Sequence, residues 1–203
     1  MDEKFVINIG RQLGSGGREI GEKLAELMGA SFYDKELIQI ASKESGLCSE
    51  FFEKVDEKIS HTFFNGSSGI SNNYLSGETL FQIQSDVIRG IAEKESCIFV
   101  GRCADYVLKN HPRCLNVFIC ADIDSRIKRV AVVQKLSEDK ARECIEKTDK
   151  KRAGYYNYFS NKIWGSAESY DLCINSSVLG IVDTVSFICN FAERKFGLDT
   201  HFS

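Results

Sequence analysis

The residues Gly14, Ser15, Gly16 and Gly17, followed by Arg18, carry the densest chemical information in the sequence. They lie between a short apolar, β-branched run, Lys4 to Ile9, and a stretch where Ile20, Leu24, Leu27 and Met28 recur at helical spacing before Gly29. A turn leading from a buried strand into a helix collects backbone N–H groups at the positive end of the helix dipole, where phosphate binds. Glycine suits such a turn because it reaches positive φ without strain and lets the backbone approach phosphate oxygens closely. Arg18 opens the helix with a cation. The competing reading is a tight turn with glycines for packing alone, but strand, turn and helix occur in the order an anion site requires.

Two nucleotide motifs compete for this turn. The dinucleotide fingerprint GxGxxG requires an acid about twenty residues on, and Asp34 meets that condition, but Glu19 occupies the third glycine position. The phosphate-loop pattern GxxxxGK[ST] fits the shape of the turn, yet Gly17 stands where its lysine belongs and Glu19 falls near the place of its hydroxyl.

The elements that must position these residues alternate. A second strand, Ser31 to Tyr33, ends at Asp34, and KELIQIASKES and SEFFEKVDEKI read as two helices separated by Gly46. From His61 to Gly77 the chain is rich in Gly, Ser and Asn and has no regular period, as expected of a long functional or disordered loop. Helical spacing returns from Glu78 to Glu95, and CIFVG at 97–101 and Leu115 to Cys120 are further strands. Helices from Asp124 to Lys135 and from Ser137 to Arg152, a strand from Tyr170 to Ser176 and a helix from Ile181 to Phe196 complete the chain. Strands alternating with helices predict an α/β fold with a mostly parallel sheet covered on both faces.

Further candidates sit at the ends of these elements. Arg102 emerges at the carboxyl edge of the CIFVG strand, where open parallel sheets bind ligands, and Asp105 follows one helical turn later, able to orient Arg102 or reach a sugar hydroxyl. Asp34 and Lys35 close the second strand, with Asp34 also suited to cap the next helix. Arg126 and Arg129 share one helix face, while Lys150, Lys151 and Arg152 end the following helix, where Asp149 could orient Arg152. Tyr155, Tyr156, Tyr158 and Phe159 could stack on a base or pack a lid against the core. His61, His111 and His201 are isolated, with no spacing that suggests a triad or a metal cluster.

With 203 residues, 43% of them hydrophobic, the chain can bury a core as one domain. Its 26 basic and 29 acidic residues leave a formal net charge of -3, which argues against nucleic acid as the main partner. The eight cysteines never form a CxxC pair, which disfavours zinc; buried free thiols in a reducing compartment are expected instead. The acidic N-terminus carries an apolar run too short for a signal peptide or a membrane span, so a cytoplasmic protein with no membrane partner is expected.

IGRQLGSGGREIGEKLAELMG with FYDKEL, then FVGRCADYVL, ADIDSRIKR, and finally DKKRAGYYNYF with WGSAESYDLCINSS, closely resembles the cytidylate kinase-like family over nearly the whole chain. The resemblance implies a three-layer P-loop fold with a five-stranded parallel sheet, an acceptor-binding insert around 35–95 and a helical lid around 126–165. It also implies transfer of the γ-phosphoryl of ATP, with Mg²⁺, to CMP or dCMP. On this resemblance Arg11, Gly14, Ser15, Gly16, Gly17 and Arg18 would hold the ATP phosphates, and Asp34, Lys35, Arg102 and Asp105 would hold the acceptor. Arg18, Arg126, Arg129 and Arg152 would neutralise the transferred charge. GSGG matches the GSGK of CMP kinases and departs from it at Gly17, so Arg18, with Arg11 behind it, is the expected substitute for the lysine. A nucleotide-binding or sensing module that has lost efficient transfer is the alternative, and a dinucleotide-dependent oxidoreductase a weaker third.

Overall fold

The computed structural model describes residues 4–34, 40 and 77–198. Five strands, β1 (Val6–Arg11), β2 (Ser31–Tyr33), β3 (Cys97–Val100), β4 (Cys114–Cys120) and β5 (Leu172–Asn175), form one parallel sheet in the order β2-β3-β1-β4-β5. The helices are α1 (Gly17–Met28), α2 (Gly77–Lys94), α3 (Ala104–Val107), α4 (Ile123–Gln134), α5 (Glu138–Ser160) and α6 (Ser176–Phe196). The expected α/β architecture is the one observed; apart from Ile40 and Gly77, the two helices read after Asp34 and the loop that follows them, with Lys35, lie outside the described residues.

Strand alternation sends β1 and β3 side chains to two cores. Ile7, Ile9, Ile98 and Val100 face α1 and α6, where Ile20, Leu24, Ile188 and Phe196 cover them. Val6, Cys97 and Phe99 face α2 and α3 through Val87, Ile88 and Leu108. Both sheet faces are therefore buried, which explains why the strands read as unbroken apolar runs. A third cluster, Ile127, Val130, Ala141 and Ile145, with Leu13 against it, joins α4 to α5 and brings that helix pair onto the β1–α1 turn.

Several boundaries differ from the sequence reading, for local reasons. The helix expected to end at Arg152 runs on to Ser160, so the AGYYNYF segment belongs to it. Phe81, stacked on Phe159 at 4.2 Å and edge-on to Tyr155, accounts for that extension by anchoring it to α2. The last helix begins at Ser176 because Asn175 accepts a bond from Ser177 N–H, and Gly180, at φ 73, interrupts it before the predicted start.

Two glycines separate packing from helix propensity. In α1, a β-carbon on Gly21 would come within 2.9 Å of Val100 Cγ2 and 3.2 Å of Ile9 Cδ1, whereas in α2 nothing lies within 4 Å of one on Gly90. Gly90→Ala should therefore stabilise the protein by ~0.5–1 kcal/mol through helix propensity. Gly21→Val should destabilise it by ~1–3 kcal/mol, because overpacking outweighs that gain; urea unfolding of the two variants should give shifts of opposite sign.

Candidate functional site

The β1–α1 turn is built as an anion cradle. Gly14 and Gly16 take φ 80 and φ 78, and Gly16 caps α1 with no side-chain hydrogen bond. The first bond of the helix ladder is Ile20 N–H to Gly16 O, which leaves the N–H groups of Arg18 and Glu19 without helical partners. The carbonyls of the turn are tied by side chains. Arg152 donates to Arg11 O at 3.0 Å, Ser15 Oγ to Gln12 O at 2.9 Å, and Arg126 Nε to Leu13 O at 2.8 Å. Arg129 donates to Gly14 O at 2.7 Å, and Ser176 Oγ to Ser15 O at 2.6 Å. Glycine is required at 14 because a β-carbon there would meet Arg126 O at 2.8 Å on top of the positive φ.

Four of the arginines expected at the site surround this turn, but with different duties. Arg126 is buried and also pairs with Asp149, whose other oxygen accepts Leu13 N–H at 2.8 Å. Asp149 thus orients Arg126 and the turn; the expectation that it serves Arg152 is not met by a direct bond. Arg129 Nη1 would lie 3.1 Å from a β-carbon on Gly16, close to the mouth of the cradle. Arg18, the expected lysine substitute, turns instead to Glu22 at 2.5 Å and Asp34 at 3.1 Å, half-exposed over the Phe32 ring.

Beside the cradle, at the carboxyl ends of β1, β2 and β3, lies a cavity of about 240 Å³. This is the crevice that the strand order predicts, since the chain reverses its direction across the sheet at β1. Arg11, Arg102, Lys151 and Arg152 line it, with Asp34 and Asp105 as its acids and Tyr155, Tyr156, Trp164 and Tyr170 as its aromatic wall. Arg11 reaches Asp34 at 3.5 Å. Burial, with the charges of Arg152 and Arg102 added, lowers the Arg11 guanidinium to about 9 against the raising effect of Asp34, so it remains a cation at neutral pH. Burial likewise lowers Arg152. Gly101, Arg102 and Cys103 take φ 87, 60 and 54 in succession, a turn that projects Arg102 toward the cavity at the cost of local strain.

Asp105, expected to serve Arg102, accepts a 2.7 Å bond from Tyr156 OH instead. Burial pushes its carboxyl up, and the Tyr156 bond opposes that shift. The sequence marks Tyr156 only as an aromatic and Tyr170 only as the start of a strand; both line the cavity, where their rings stack at 6.2 Å. Asn8 was missed for a similar reason. It is a polar residue in an apolar strand, its amide bonded to Asn116 Oδ1 at 2.9 Å in the cavity wall.

These features agree with what the chain resembles. Residues 6–178 match the model of the cytidylate kinase-like family. No curated protein matches the sequence. The structure is similar to that of an uncharacterized protein from Eubacterium ventriosum, with 29% identity and a TM-score of 0.72 over 94% of this chain and 99% of the other. Shikimate kinase from Bacteroides thetaiotaomicron has 14% identity and a TM-score of 0.53, over 93% and 98% of the two chains. Shikimate kinase from Acinetobacter baumannii, solved with shikimate, has 14% identity and a TM-score of 0.52, over 94% and 93%. The last two likenesses establish a shared fold with P-loop kinases. A glycine turn with open N–H groups at the start of α1, an arginine-lined cavity beside it and a family match over most of the chain lead to one assignment: the protein belongs to the cytidylate kinase-like family.

Proposed function

We propose that the chain is a nucleoside monophosphate kinase that passes the γ-phosphoryl of ATP to CMP or dCMP. The observation that carries this reading is the cavity adjoining the cradle, in which Arg11, Arg102 and Arg152 converge with Lys151. Such an excess of cations suits an acceptor that is itself a phosphate. An oxygen of the acceptor phosphate attacks the γ-phosphorus in line, the bond from that phosphorus to the β,γ-bridging oxygen breaks, and ADP leaves. The attacking oxygen is already ionised at neutral pH, so catalysis rests on positioning and charge rather than on a base.

Among the described residues, no group of three or more His, Cys, Asp or Glu side chains is placed to hold a metal ion. Mg²⁺ would therefore arrive on the ATP phosphates with water completing its shell, as that ion prefers. Among the described residues no helix is long and apolar enough to cross a membrane. Selection of the base falls to the insert, of which Lys35 and residues 61–76 lie outside the described residues.

The alternative is a nucleotide-binding or sensing module with little transfer, and Gly17 in the lysine position favours it. One assay separates the two. Incubated with ATP, Mg²⁺ and each monophosphate in turn, the protein should form ADP with CMP or dCMP; bound nucleotide with no ADP for any acceptor would establish the module instead. Arg102→Asn, chosen because asparagine tolerates positive φ, should raise the KM for the monophosphate ~10–100-fold, the value of a lost charge-assisted bond. The same variant should leave the KM for ATP within ~3-fold; equal loss on both substrates would remove Arg102 from the acceptor site.

A further inference from the structure

The phosphate-loop pattern GxxxxGK, laid on this chain with its second glycine at Gly16, requires glycine at position 11 and lysine at position 17. The chain has the reverse, Arg11 and Gly17. The structure shows why the two changes belong together. A β-carbon on Gly17 would lie 2.5 Å from Arg11 Cβ and 3.1 Å from Arg11 Cγ, so the Arg11 stem fills the space from which a lysine at 17 would rise. The head of the same side chain crosses a second glycine. A β-carbon on Gly101 would strike Arg11 Nη1 and lie 3.2 Å from its Cζ. Asp34, 3.5 Å from Nη2, holds the guanidinium there, at the junction of cradle and cavity.

We propose that Arg11 is the relocated cation of the phosphate loop: it enters from the first position of the loop instead of the seventh and presents its guanidinium to the phosphate oxygens between cradle and cavity. The proposal rests on the reading of the β1–α1 turn as a phosphate site and deepens it. Gly17 and Gly101 are the two vacancies that let this side chain pass, and Asp34 keeps it pointed at the acceptor side. Of the other arginines near the turn, Arg18 is engaged by Glu22 and Asp34, Arg126 by Leu13 O and Asp149, Arg129 by Gly14 O and Arg152 by Arg11 O. A planar guanidinium can grip two oxygens at once where an ammonium grips as a point charge, which suits a group shared between donor and acceptor.

The test is a double-mutant cycle read by calorimetric binding of Mg·ATP and of inorganic tripolyphosphate. Arg11→Gly should weaken both tenfold or more, and Arg11→Lys should recover part of that loss. Gly17→Lys alone should weaken binding and lower the thermal midpoint, because the new stem meets Arg11. Arg11→Gly combined with Gly17→Lys should bind at least tenfold more tightly than either single variant. A double variant no better than the weaker single one, or Arg11→Gly with unchanged affinity, overturns the proposal. If the double variant does not fold, the Arg11→Gly and Arg11→Lys pair decides, since neither adds bulk to the turn. Failure of the kinase reading shows separately: wild-type protein that binds tripolyphosphate but forms no ADP loses the transfer reaction and keeps Arg11, whereas wild-type protein that binds neither probe loses the Arg11 assignment.

Discussion

Each carbonyl from Arg11 to Ser15 accepts a side-chain hydrogen bond, and the site depends on that constraint. The donors Arg152, Ser15, Arg126, Arg129 and Ser176 hold these oxygens, and the N–H groups of Gln12, Leu13 and Ser15 are committed as well, to Ile119 O, Asp149 and Gln12 O, so the turn has its conformation before any ligand arrives. The donors come from three helices and the turn itself, so the cradle has its shape only when α4, α5 and α6 are docked. The docking of α4 and α5 involves Leu13, which packs into the cluster between them and whose N–H and C=O are both used. The anion site and the hydrophobic interior are therefore one construction.

The sequence makes the sheet and the glycine turn legible because both follow local rules: unbroken apolar runs for buried parallel strands, and glycines where φ is positive. It also makes the arginines legible as a set, because cations gathered near a glycine turn need an anionic partner. It does not reveal how the work is divided among them. Whether Arg18 or Arg11 enters the cavity depends on which of their neighbours is a glycine in space, and Gly101 is distant from both in the chain. Asp149 looked like a partner for Arg152, one helical turn away, and instead bonds across the fold to Arg126 and Leu13. Asp105 similarly found Tyr156 rather than Arg102. In each case a contact between remote segments outcompeted the sequence neighbour, because only burial makes a carboxylate's choice of partner energetically strong.

The helix that overran its expected end has a consequence beyond its length. At 23 residues and about 1.5 Å of rise per residue, α5 is a single rod of ~35 Å. Along two of its turns it carries Asp149 and Arg152, bonded to the cradle, and then Tyr155 and Tyr156, which line the cavity. A rod that touches both compartments cannot respond to one without disturbing the other. A ligand that shifts α5 through the aromatic wall changes the hold of Arg152 on Arg11 O, and occupation of the cradle must act back on the aromatic wall with the same free energy. Any coupling between the two compartments therefore has a helix rather than a loop to travel along.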